Sequence, residues 1–112
     1  MAVFHPNLTQ EKWNDADRAF QVLSIFAELN RCRGRFARDD LTNGRHSLDR
    51  CLELIDLTIR DPRWTGGRRH ELLRFREAVG ALYVGSDEIR TTPTELMRVL
   101  RTFHPACSTV PV

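Results

Sequence analysis

Chemistry in a chain this small has to come from a few side chains. The histidines are His5, His46, His70 and His104, and the cysteines are Cys32, Cys51 and Cys107. No Glu-x-x-His pair of the kind that builds a dimetal site inside a helical bundle occurs. Cys32, Cys51 and a histidine would meet only if two helices packed side by side, and none of these residues has ligand spacing. No metal and no cofactor are expected. No Gly-rich loop follows a strand, which rules out a P-loop. Thr65-Gly66-Gly67, ahead of a helix, offers free N–H groups to an anion, a weak signal. A histidine acting as general acid or base needs a second polar group beside it, and no serine or cysteine nucleophile has local support. The expectation is a protein that is not an enzyme.

The other chemistry-bearing group is arginine. Lys12 is the only lysine among 17 basic residues, yet the net charge is only +2. Biased codon usage explains such a skew as well as function does. A nucleic-acid footprint requires the arginines to gather on one face. Arg31, Arg35 and Arg38 share a helical face, and Arg63, Arg68 and Arg69 surround a loop that also holds Trp64. These seven are the candidate interaction or nucleic-acid contacts, although Trp64 reads first as a cap over the end of the core. In a helical bundle the two arginine groups fall at opposite ends, about 30 Å apart at 1.5 Å of rise per residue. Several arginines have acidic neighbours at helical spacing: Glu28 with Arg31, Asp56 with Arg60, Glu71 with Arg74, Glu95 with Arg98. A second candidate group, Glu28, Asn30, Asp56 and Arg76, would be a buried polar cluster. Asn30 falls near the middle of an apolar arc. Asp56 and Arg76 lie at the margins of theirs, where an ion pair between helices fits.

The elements that position these residues are helices. Side chains three and four apart share a helical face. Leu48, Cys51, Leu52, Ile55 and Ile59 form one arc, with Leu54 and Thr58 at its margin. Leu57 falls on the polar side, so it meets a second partner surface or is exposed. Pro62 stops this central helix near Arg60 or Asp61. Before it, a first helix starts at Thr9 as N-cap. Trp13, Ala16, Ala19, Phe20, Val22, Leu23, Phe26, Ala27 and Leu29 cover more than half of its circumference, so it touches several neighbours. It ends at Gly34 or runs on toward Arg38, with the reversal inside 38–46 and Asp39, Asp40 or Asn43-Gly44 as its turn chemistry. A third helix runs from about Arg68 to Val84, with Leu72, Phe75, Val79, Leu82 and Tyr83 inward and Gly85 as its C′ residue. Thr92-Pro93-Thr94-Glu95 is a capping box that opens a short last helix. Leu96, Val99, Leu100 and Phe103 face inward there, and His104-Pro105 ends it.

These elements make one all-α domain over residues 1–112, an antiparallel up-and-down four-helix bundle with loosely ordered ends at 1–8 and 105–112. A hydrophobic content of 41% and a charged content of 29% are globular values. An odd number of widely spaced cysteines points to reduced thiols and a cytoplasmic setting. Met1 to Asn7 lacks a basic and an apolar region, so no signal peptide is expected. No apolar run approaches the roughly 20 residues needed to span a membrane.

Leu52-Glu53-Leu54-Ile55-Asp56-Leu57-Thr58-Ile59, followed by Asp61-Pro62-Arg63, resembles the central motif of an uncharacterised family of small bacterial all-α proteins. Glu11-Lys12-Trp13-Asn14, Glu28, Arg31, Glu71-Leu72 and Arg76-Glu77 extend the resemblance over roughly residues 9–104. The segment 33–46 and the tail depart from the pattern. The resemblance implies a helical fold and no particular activity. More loosely, the layout looks like the four-helix bundles of ribosomal intervening-sequence proteins and of retroelement accessory proteins, which are oligomers that bind nucleic acid or a partner protein. Fold alone does not carry function. Arg98 with His104, and Arg63 with His70, have the arginine–histidine spacing of HEPN-type ribonucleases, but so many arginines produce about that many pairs by chance. The expected function is therefore non-enzymatic interaction with a protein partner or with itself as a homo-oligomer. Nucleic-acid binding by an oligomer is the alternative, and a ribonuclease the second alternative.

Overall fold

The computed structural model of the chain describes residues 5–112, and all of its regular elements are helical. They are α1 (Gln10–Asp15), α2 (Arg18–Ala37), α3 (Leu41–Ile59), α4 (Gly66–Val84) and α5 (Pro93–Leu100), then single 3-10 turns at Arg101–Phe103 and Pro105–Cys107. Helix α2 packs most extensively along α3 and also against α5. Helix α4 packs on α3 and touches α5, and α1 lies on α3. One core runs through all of them: Trp13 from α1, Val22, Ile25, Leu29 and Cys32 from α2, Leu48, Cys51 and Ile55 from α3, Leu72, Phe75 and Val79 from α4, and Leu96, Met97 and Leu100 from α5. Among the described residues, no helix is long and apolar enough to cross a membrane.

The first helix of the sequence reading is two helices. The chain leaves helical geometry at Ala16, whose ψ is 150°, and α2 starts after Asp17. Asn14, Asp15 and Asp17 are poor interior helix residues because their side chains compete for nearby backbone groups. The break also explains the over-wide apolar arc. Trp13 belongs to one helix, which Ala16 ends, and Val22, Ile25, Phe26 and Leu29 belong to the next, so the arc joins two stripes of different phase. Phe20, placed inside by that reading, is 58% exposed. Asn30 is exposed for the same reason and accepts a hydrogen bond from Arg33. It is not a core amide.

Helix α2 does run past Gly34, and the reversal at Arg38–Asp40 falls within the expected window. The C-terminal ends of α2 and α4 share one design. The N–H of Asp40 reaches Arg35 O and that of Asp39 reaches Phe36 O; likewise Ser86 reaches Ala81 O and Gly85 reaches Leu82 O. This is the Schellman pattern, which puts its C′ residue in left-handed geometry. Gly85 (φ 71°) takes it without strain, whereas Asp39 (φ 58°) takes it with a Cβ. The side chain of Asp40 then caps α3 through the Asn43 N–H. Asn43-Gly44 is not a turn but lies inside α3. Gly44 is buried, and a Cβ built on it would overlap the Phe36 ring, so α2 and α3 approach most closely there.

Helix α3 ends before Pro62 as expected; Leu57 is half-buried and packs against the core, and its backbone carbonyl accepts from Gln10 Nε2 of α1 at 2.8 Å. The Thr92 hydroxyl accepts from the Glu95 N–H with Pro93 in the first turn, the expected N-terminal cap of α5. Within α5, Met97 is buried and Val99 is 48% exposed, the reverse of the expected facing. The tighter 3-10 turn at Arg101–Phe103 carries Phe103 inward without the helical phase that would have taken Val99 with it.

The ends are better tied than expected. The backbone N–H and Nδ1 of His5 both bond to Glu53 Oε1, at 3.0 and 2.9 Å, and Leu8 packs on the core. Residues 1–4 of the expected loose N-terminus lie outside the described residues. At the other end Cys107 is fully buried, and Val110 and Val112 pack against the core. The segment 105–112 is part of the folded body.

Candidate interaction surfaces

The loop after α3 assembles the most connected group of side chains in the protein. Asp61 and Pro62 open a turn in which the Trp64 N–H bonds to Asp61 O at 3.1 Å, with proline at the position whose φ it pre-sets. The Asp61 carboxylate also accepts its own loop's Arg63 N–H at 2.9 Å. It receives the Arg63 guanidinium through Nε and Nη2, the closest contact at 2.8 Å, and Gln21 Nε2 at 2.8 Å. Gln21, fully buried, donates as well to Trp13 O and accepts from Trp64 Nε1. Trp13 Nε1 donates to Thr58 Oγ1, whose hydroxyl donates to Leu54 O. Arg63 Nη2 closes the circuit on Ala16 O at 2.6 Å. At the α1–α2 break, Trp13 O accepts the Ala16 N–H and Gln21 Nε2, and Ala16 O accepts from Arg63 of the loop after α3. Burial would raise the Asp61 pKa, but the bonds from Arg63 and Gln21 outweigh it and hold the carboxyl below its usual range. The same partnership raises the Arg63 pKa.

The residues named from sequence as contacts are therefore spent largely on the fold. Trp64 is 3% exposed and is no surface platform. Arg35 Nη1 donates to Asn43 O and Ser47 Oγ, bracing the α2–α3 reversal. Arg69 Nη1 donates to Ile59 O at the end of α3, and Arg68 Nη1 to Thr102 O and Phe103 O after α5. Arginines beside the last carbonyls of a helix satisfy orphan acceptors and complement the helix dipole. Arg31 pairs with Glu28, as expected, and Arg38 is exposed.

The expected polar cluster is not one cluster. Glu28, 5% exposed, is held by Arg31 and by Arg50 at 3.1 Å, which the sequence reading missed. Asp56 pairs with Arg76 at 2.6 Å across α3 and α4, the expected interhelical ion pair, rather than with Arg60. Asn30 joins neither. The buried polar centre is instead Gln21, Thr58 and Asp61. The signal for Gln21 was in the chain: a polar residue beside Val22 on a face that also carries Ile25 and Leu29.

Two of the surface depressions among the described residues bear on function. One, about 350 Å³, lies between α1 and α2 and is lined by Leu8, Trp13, Ala16, Phe20, Ala27 and Leu54, with Lys12, Glu28 and Arg31 among its polar residues. The other, about 340 Å³, is lined by Arg18, Arg63, Trp64, Thr65, Arg68, Phe103, His104 and Pro105. His104 lines it but Arg98 does not, and His70 is exposed on α4. The three cysteines are buried free thiols. Burial pushes Cys32 up to about 11 against a smaller opposing pull from Arg35, and raises Cys51 and Cys107 as well. Among the described residues, no group of three or more histidine, cysteine, aspartate or glutamate side chains is placed to hold a metal ion. No family model, curated protein or solved structure matches this chain.

Proposed function

We propose that this chain is a non-enzymatic interaction module of the cytoplasm, an antiparallel four-helix bundle of α2 to α5 that works as a homo-oligomer. The bundle reading is supported by the cycle of helix contacts, α2 with α3, α3 with α4, α4 with α5 and α5 with α2. The observation that carries the interaction reading is Phe20. It is 58% exposed and lines the apolar groove between α1 and α2, and Leu23, 41% exposed, follows one turn along the helix outside that lining. An aromatic ring left in water beside an apolar groove is an anchor and its pocket on one surface. A two-fold contact repeats the same patch on both copies, so each Phe20 can enter the other's groove. A standard interface hides about 800 Å² per partner, a modest share of the 6740 Å² of accessible surface.

Nucleic-acid binding has less support, because Arg35 and Arg69 each brace backbone carbonyls of the fold and Arg31 is paired with Glu28. Sedimentation velocity over a concentration series tests the reading. Self-association that strengthens with concentration is expected, and a single species of 13.0 kDa at every concentration would sink it.

A further inference from the structure

The cleft at the start of α4 collects donors from four parts of the chain. Arg18 comes from the first turn of α2, Arg63 and Thr65 from the loop, Arg68 from α4, and His104 from the segment after α5. No carboxylate lines it. Asp61 holds Arg63 from beneath, at 1% exposure, and Asp15 and Asp17 act on Arg63 electrostatically without lining the cleft. Arg18 and Arg68 are left with no carboxylate beside them in the lining.

Three of the donors, Arg68, Arg63 and His104, are held in place, and Arg18 is exposed. Arg68 Nη1 is bound to Thr102 O and Phe103 O, which fixes the guanidinium plane and leaves Nε and Nη2 to point elsewhere. Arg63 is fixed by the Asp61 carboxylate and Ala16 O. His104 Nδ1 accepts the Ala106 N–H at 3.1 Å, so in the neutral ring the proton sits on Nε2, a donor. Guanidinium groups fixed by the fold bind a tetrahedral oxyanion without first losing side-chain freedom. A volume near 340 Å³ is at the small end of ligand sites and holds a phosphate with only a few carbons attached.

We propose that this cleft binds the phosphate group of a small phosphomonoester, with Arg18 and Arg68 as its principal donors and Arg63 and His104 beside them. This goes beyond the self-association reading and does not depend on it, because Phe20 lies in the other depression.

Titration of the 15N-labelled protein at constant ionic strength tests it, with inorganic phosphate, glycerol phosphate and chloride alone as probes. Saturable shifts in the Gly66–Arg68 amides and the His104 ring are expected with both phosphate probes and not with chloride. Tighter binding of glycerol phosphate would mark the ester as the natural form, and equal binding would mark free phosphate. Arg18→Ala removes an exposed guanidinium and should weaken binding about ten- to a hundredfold, as expected for loss of a charge-assisted bond. Arg98→Ala, an equal loss of charge on α5 outside the lining, should leave binding unchanged. Shifts absent at saturating phosphate, shifts spread over every arginine-bearing end, or equal weakening by the two variants would overturn the proposal.

Discussion

The Gln21 side chain joins three parts of the chain through its hydrogen bonds to Trp13 O, Trp64 Nε1 and Asp61. Replacing it with leucine strands the indole N–H and one bond to a buried carboxylate. Each stranded group costs about 1–3 kcal/mol, so Gln21→Leu should lose about 2–5 kcal/mol in urea unfolding, far more than its change in volume would suggest. Asp61 makes the same centre pH-dependent. Its folded pKa is depressed, so its contribution is complete above the unfolded pKa, about 3.9, and is lost as pH falls through the lower folded value. Urea midpoints should therefore drop below about pH 4, and Asp61→Asn, less stable at neutral pH, should show a shallower acid slope. At the cysteines, burial keeps all three thiols protonated. A disulfide reagent at pH 8 should find no fast-reacting thiol in the native protein and all three after denaturation. One fast thiol in the native protein would contradict the burial described for these residues. At this scale the sequence showed the types of the polar residues but not their partners. The Asp56–Arg76 pair was legible because both residues sit at helix margins. The Gln21–Asp61 bond was not, because it joins positions 40 residues apart that meet only once the helices pack.

The helices whose ends carry local chemistry were legible from the chain. Pro62 ends α3, Gly85 ends α4 and Thr92 starts α5, each through its own backbone geometry. The α1–α2 break was hidden, since two of its carbonyls accept from Gln21 and Arg63 and the apolar residues on either side look continuous. The paired Schellman ends give a test on one motif. Asp39→Gly removes a Cβ from a left-handed position and should stabilise the protein by up to about 1 kcal/mol, while Gly85→Ala should cost about 1 kcal/mol. Interior glycines divide in the same way. Gly80→Ala meets open space and should gain about 1 kcal/mol from helix propensity. Gly44→Ala must displace the Phe36 ring, and the overpacking, about 1–3 kcal/mol, offsets or exceeds the same gain. Thermal melts of the four variants decide these signs.

At the scale of the whole molecule, several of the arginines serve the fold. Charge counts suggested two basic ends. The fold uses much of both to close helix termini and brace loops, which places Arg35, Arg68 and Arg69 in the architecture. Phe20 on α2, 58% exposed, lines a groove the same helix helps to form, and Leu23 is exposed one turn along. The most direct test of self-association through that face is solution mass by light scattering for the native chain and for Phe20→Asp. The substitution sits at an exposed position, so the fold should survive it, as circular dichroism would verify. The account predicts an oligomer, about 26 kDa or more from a 13.0 kDa chain, that collapses to the monomer mass in Phe20→Asp. A native monomer, or an oligomer indifferent to the aspartate, would contradict it.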